Sequence, residues 1–195
     1  MTMPQRHSTW GSRGQTLAEV AIALPLLIVL LVGMLQVGWV LYQGHVSRKI
    51  AREGANLLSR QVTFPNTETV IQGSQPYPGG TFDANAKLIL SVVKLGTGGQ
   101  NNGLPIITAR HSIGSLGGTS LIGNPGGGSY TGSPSYNAVN PDNDTGIRAT
   151  LPVGLTLAAG QSVFVSELYT RRSDMASMAF WNIQFPATLY ASAFF

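Results

Sequence analysis

Residues 20–42 read VAIALPLLIVLLVGMLQVGWVLY, a run in which Gln36 is the only plainly polar side chain. No other feature limits so strongly what the chain can fold into. About 20 apolar helical residues cross the roughly 30 Å hydrocarbon layer of a bilayer. The run is long enough for that, and longer than the roughly 7–15-residue core of a secretory signal. Ala21 and Ala23 form an A-x-A at the beginning of the run, whereas a signal peptidase would cut at its end. The pattern therefore predicts a membrane-spanning helix.

Composition agrees. Charged residues make up 10% of the 195, against about 25% in an average soluble domain. The net charge of +4 is modest, and Lys and Arg form no stripe interleaved with aromatics, so no nucleic-acid surface is expected. The chain has no cysteine, which excludes disulfides, thiolate metal sites and a cysteine nucleophile.

Beyond the apolar run the helix is expected to continue. SRKIAREGANLLSRQ places Ile50, Leu57 and Leu58 at helical spacing, with Lys49 and Glu53 four apart on the surface. A helix from Gln15 to about Gln61 would be ~70 Å long. Pro25, Gly33, Gly38, Gly44 and Gly54 are either points of close helix approach or points of local bending. Leu17, Pro25, Gly33 and Gly38 are the expected packing positions. Pro65 is expected to close the helical stretch.

The period then changes. Residues 86–95, 104–111, 146–151, 161–170 and 186–195 read as strands rich in Val, Ile, Leu and aromatics. In QSVFVSELYT one face carries Val163, Val165, Glu167 and Tyr169, and the other Phe164 and Leu168. Residues 96–146 hold 13 of the 24 glycines and are expected to form exposed excursions. The fold class is thus α+β: a long N-terminal transmembrane and stem helix, then a small, loop-rich, mainly antiparallel β domain. The expected organisation is a short polar segment at 1–14, a helix at 15–61 and a β-rich domain at 62–195; the resemblance described below implies that the first is a removable leader and the last extracytoplasmic.

The chemistry concentrates at Arg13-Gly14-Gln15-Thr16-Leu17-Ala18-Glu19. A carboxylate at the edge of an apolar span is costly and functional by default. Arg13 could reach it. A cut after Gly14 would supply another partner, a new α-amino group on Gln15 at i, i+4 spacing from Glu19. The amine of a neighbouring subunit could serve equally and would fix axial register.

A short basic leader ending in Gly, followed by an apolar helix with Glu five residues on, resembles the type IV prepilins. The finer pattern, RGQTLAE, Ala21, Leu24-Pro25-Leu26-Leu27 and then Ala51-Arg52-Glu53-Gly54-Ala55, is similar to the TadE-like minor pseudopilins of tight-adherence (Flp-type) pili. Gly160, Val163, Val165 and Glu167 follow a late strand motif of that family, with Tyr169 one place early. Gln36-Val37-Gly38 departs from the acidic-aromatic-Gly often found there. The resemblance covers residues 12–60 closely and 160–195 more loosely.

It implies cleavage between Gly14 and Gln15 by a prepilin peptidase, with Glu19 as the residue of assembly and register. It also implies a structural subunit whose partners are the major pilin, a sister minor pilin, the inner-membrane assembly platform and the lipid bilayer. The C-terminal domain would be periplasmic, or carried at the cell surface in the assembled pilus. Charge bias alone points the other way, because Arg48, Lys49, Arg52 and Arg60 follow the span. The expected orientation follows the resemblance, since the peptidase cuts at the cytoplasmic face. An adhesin or binding module using residues 96–146 is the alternative.

No enzyme, cofactor or metal is expected. His7, His45 and His111 are scattered, and PDNDTG fails as a helix-flanked calcium loop because the fifth, sixth and twelfth places hold Gly146, Ile147 and Val153. It reads as a turn. Gly126-Gly127-Gly128 lacks the Gly-Lys-Ser/Thr of a phosphate loop. Tyr190, Phe194 and Phe195 are expected on a strand that closes the sheet.

Overall fold

The computed structural model describes residues 10–73, 82–123, 127–171 and 187–195. The described residues divide into two compact units, the first ending at Tyr42 and the second beginning at Gln43. Helix α1, Trp10–Ser59, contributes to both. Its leucines and alanines favour helix, and Pro25 lies inside it. Proline there withholds an N–H from the ladder, a loss that lipid-embedded helices tolerate.

The end of α1 is chemically defined. The Val62 N–H donates to the Leu57 carbonyl at 3.1 Å and the Gln61 N–H to the Leu58 carbonyl at 2.9 Å. These two bonds make a Schellman closure, with Gln61 in the left-handed position at φ +62°. Pro65 does not end the helical region. It falls in the first turn of a second helix, α2, Phe64–Gly73, where the N–H it lacks would have no intrahelical partner anyway. Thr63 caps that helix, its Oγ1 accepting from the Asn66 N–H at 3.4 Å.

A short helix, α3 (Phe82–Asn85), leads into a four-stranded antiparallel sheet: β1 (Ala86–Leu95), β2 (Pro105–Ile113), β3 (Ser162–Arg171) and β4 (Thr188–Phe194). Their order is β2-β1-β3-β4. The two strands in the middle of that order are covered on both faces, which is why AKLILSVVKL reads as a nearly continuous apolar run. On one face Leu88, Leu90, Leu168, Ala191 and Ala193 pack on Ile50, Ala51, Ala55 and Leu58 of α1 and on Phe64 and Ile71 of α2. On the other, Val93, Ile107, Val163 and Val165 meet Ile122 and the half-buried Tyr130, Leu151 and Leu157. A bulge between Val92 and Val93 re-registers β2.

Four of the five expected strands form, and β4 closes the sheet beside β3 as expected. Residues 146–151 differ. Thr145–Ile147 is a 3-10 turn capped by Asp144, whose Oδ1 accepts the Gly146 N–H at 2.8 Å. Arg148 and Ala149 make only isolated bridges, to Ile106 and Gly123. PDNDTG is thus a turn. Nor are residues 96–146 simply exposed, since Asn101 and Ile122 are buried. The Asn101 Nδ2 donates to the carbonyls of Pro141 (2.9 Å) and Asp144 (2.8 Å), and its Oδ1 accepts from Arg148 Nε at 2.9 Å. One buried amide thereby satisfies backbone that glycine-rich sequence cannot satisfy by regular pairing.

Candidate functional site: an apolar helix, a basic stem and a buried carboxylate

In the first unit, α1 presents its apolar side chains outward. Leu17, Ile22, Leu26, Leu27, Leu31, Met34 and Leu41 are all exposed. By length and composition the helix is long and apolar enough to cross a membrane, and almost none of its most apolar stretch is buried. A Cβ built on Gly33 or Gly38 would meet nothing within 4 Å, so both glycines present open backbone. Leu17 is 73% exposed. Trp39 and Tyr42 stack at 5.8 Å between ring centroids, amphipathic rings of the kind that favour a membrane–water boundary. Gln36, the polar exception in the run, is buried.

Glu19 is exposed, and its Oε1 accepts from the Gln15 Nε2 at 3.2 Å. The i, i+4 spacing thus brings the two side chains together on α1. Gly14 and Gln15 both lie within α1.

In the second unit the AREGA run proves to be a contact surface. Ala51 and Ala55 are fully buried, and Gly54 faces Ser166 of β3 and Leu90 of β1. Ser47 joins them, its Oγ 3.3 Å from Thr170 Oγ1. Small residues at positions 47, 51, 54 and 55 form one helical stripe and let α1 lie close against the sheet. The intervening His45, Arg48, Lys49, Arg52 and Glu53 are exposed. With Asn56 and Phe195 they line a groove of about 440 Å³.

A third arrangement was not expected as a site. Glu167 is completely buried on the sheet face opposite α1. Its Oε1 accepts the Leu121 N–H at 2.8 Å and the Tyr190 hydroxyl at 2.9 Å, and its Oε2 accepts the Ser120 hydroxyl. Arg110 donates to Ser120 Oγ (2.9 Å) and Ser91 Oγ (3.0 Å), so charge of opposite sign reaches Glu167 through a shared hydroxyl. Burial lowers the Arg110 pKa from its usual range, while the negative charge of Glu167 opposes that. Burial also raises the Tyr190 and Tyr169 hydroxyls, and Glu167 adds to both shifts. Around this centre Lys87 Nζ donates to the Gly118 carbonyl at 2.7 Å, and the Tyr169 hydroxyl donates to the Thr119 carbonyl. Gly118 lies so close to the Tyr169 ring that a Cβ would stand 2.7 Å from it. The arrangement is a clasp holding residues 117–123 across the sheet. The sequence signal was present: an acid stands between Val165 and Tyr169 on the inward face of an alternating strand.

His111 is paired with Glu68 at 3.3 Å and stacked on Tyr136. Among the described residues no cluster of His, Asp and Glu could hold a metal ion.

The family model of TadE-like proteins matches residues 14–56. That segment begins at Gly14, contains Glu19 and the apolar run, and ends just beyond the Gly54 contact. Compared with the curated proteins and with the solved structures, the chain has no significant match.

Proposed function

We propose that the chain is a minor pseudopilin-like structural subunit of a tight-adherence type IV pilus, anchored in the bacterial inner membrane by α1. The observation that carries this reading is that the TadE-like match over residues 14–56 contains a helical stretch, Leu17 to Tyr42, whose large apolar side chains are exposed. An apolar helical surface of that length has two favourable destinations, lipid and the helices of other subunits. A pilin uses both in turn.

In this reading a prepilin peptidase cuts between Gly14 and Gln15. The new α-amine then stands one turn from Glu19, on the residue that already donates to it. Paired within the chain or with a neighbour, the amine neutralises Glu19 and sets the axial position of the helix. Leu17, Pro25, Gly33 and Gly38 offer side-chain and open-backbone surfaces for neighbouring helices. The partners are the major pilin, a sister minor pilin and the assembly platform, and the second unit is periplasmic.

N-terminal sequencing of the mature protein tests the reading, beside a gel comparison of wild type and Gly14→Ala. The expected mature chain begins at Gln15, and the variant stays unprocessed. A variant band that still shifts to the mature position would refute the assigned cleavage.

A further inference from the structure

We infer that the groove lined by His45, Arg48, Lys49, Arg52, Glu53, Asn56 and Phe195 binds the phosphate head group of an anionic phospholipid in the membrane that α1 crosses. The inference rests on the reading of residues 20–42 as a membrane span. Three cationic side chains, Arg48, Lys49 and Arg52, and one acidic side chain, Glu53, line the groove, a net side-chain charge of +2 before any protonation of His45. Among the described residues none of the three cations is engaged in a salt bridge or a hydrogen bond to another side chain. All three are exposed. Their stems share one side of α1 because the opposite side, through Ala51, Gly54 and Ala55, is committed to the sheet.

Position gives the ligand class. The cluster begins three residues after Tyr42, the last residue of the apolar run, on the same helix. Arg and Lys immediately beyond a span are attracted to anionic lipid. Arg offers planar paired donors to phosphate oxygens and Lys a point charge. Glu53 and Asn56 add an acceptor and an amide suited to the hydroxyls of a glycerol head group. The exposed Phe195 ring supplies an apolar wall. The same charges oppose the orientation proposed above under the positive-inside rule. A lipid ligand on the periplasmic leaflet gives them a role there.

The test uses full-length chain in a neutral detergent, with native mass spectrometry reading retained lipid after addition of phosphatidylglycerol or phosphatidylcholine. Wild type should retain phosphatidylglycerol in preference to phosphatidylcholine by at least about tenfold, since each cation near an anionic head group contributes roughly fivefold. The Arg48→Gln/Lys49→Gln/Arg52→Gln variant should lose that preference, while Arg60→Gln, a basic residue outside the groove, should keep it. Unchanged melting of the triple variant shows that it folds. Equal retention of the two lipids by wild type, or an undiminished preference in the triple variant, would overturn the inference. Displacement of phosphatidylglycerol by a few-fold excess of inorganic phosphate would overturn it too, by showing a site for the free ion. Failure of the membrane reading is a separate result: the chain would then leave the membrane fraction of cells on a salt wash, whatever its lipid preference.

Discussion

Gly54 of α1 and Ser166 of β3 touch so closely that a Cβ on Gly54 would stand 2.7 Å from the serine Oγ and 3.3 Å from its Cβ. This contact is where the stem helix meets the sheet. It gives the glycine of AREGA a physical reason, because any side chain there must displace either the helix or the serine.

Gly54→Ala should therefore destabilise the second unit by about 1 kcal/mol net, an overpacking cost of about 2 kcal/mol less the roughly 1 kcal/mol by which alanine is the better helix former. Adding Ser166→Ala should recover part of the loss, since the deleted Oγ is the nearest atom and has no hydrogen-bond partner. Denaturant titration of the single and double variants checks this. Simple additivity would show that the contact is not what constrains Gly54.

Glu167→Ala should cost about 2–4 kcal/mol, because it removes the buried acceptor shared by the Leu121 N–H, the Tyr190 hydroxyl and the Ser120 hydroxyl. Faster amide exchange should follow in residues 117–123, which the carboxylate holds down. A loss confined to β4 would mean that the clasp does not extend to the loop.

The raised pKa of Tyr190 sets a pH dependence with a definite sign. Its folded value lies above the unfolded value near 10, so the unfolded chain loses its proton first. Stability linked to this group is complete below about pH 10 and falls as pH rises beyond it. Tyr169 and Tyr130 are shifted in the same direction. Melting temperature measured from pH 8 to 11 should decline above 10, and Tyr190→Phe should lessen the slope without removing it. An identical slope in the variant would assign the effect elsewhere.

Gln61 occupies the left-handed position that closes α1. Gln61→Gly should stabilise the protein by about 0.5–1 kcal/mol, since a residue with a Cβ is disfavoured there. Thermal melting decides the sign. A lower melting temperature would mean that the glutamine side chain contributes more than its backbone strain costs.

Glu19→Ala should leave cleavage after Gly14 intact while preventing incorporation into pili, measured by immunoblot of sheared filaments. Incorporation at the wild-type level would dismiss the register role of the carboxylate.

Much of the architecture was legible along the chain. Helix α1, β1, β2, β3 and β4 announce themselves because period and apolarity are local properties that nearest neighbours do not alter. The turn at PDNDTG was equally local, as Asp144 bonds backbone two residues away. The errors fell where a local signal has two meanings. Pro65 ends one helix or begins another, and the choice depended on the Schellman closure at Gln61 and the Thr63 cap. Residues 146–151 carry strand-like composition, yet capping by Asp144 draws their start into a 3-10 turn.

The sequence by itself determined a long apolar helix with Glu19 at its edge, a β-rich domain after it, and so the need for lipid or other helices around α1. Tertiary structure alone decided that Gly54 is a contact with Ser166, that Asn101 and Glu167 are buried, and that Arg48, Lys49 and Arg52 share one groove with Phe195. The reason is separation along the chain. Glu167 finds Ser120 47 residues away and Arg148 finds Asn101 at the same distance. No periodicity encodes such pairs. They exist because two faces of one sheet must be covered and every polar group buried in doing so must find a partner.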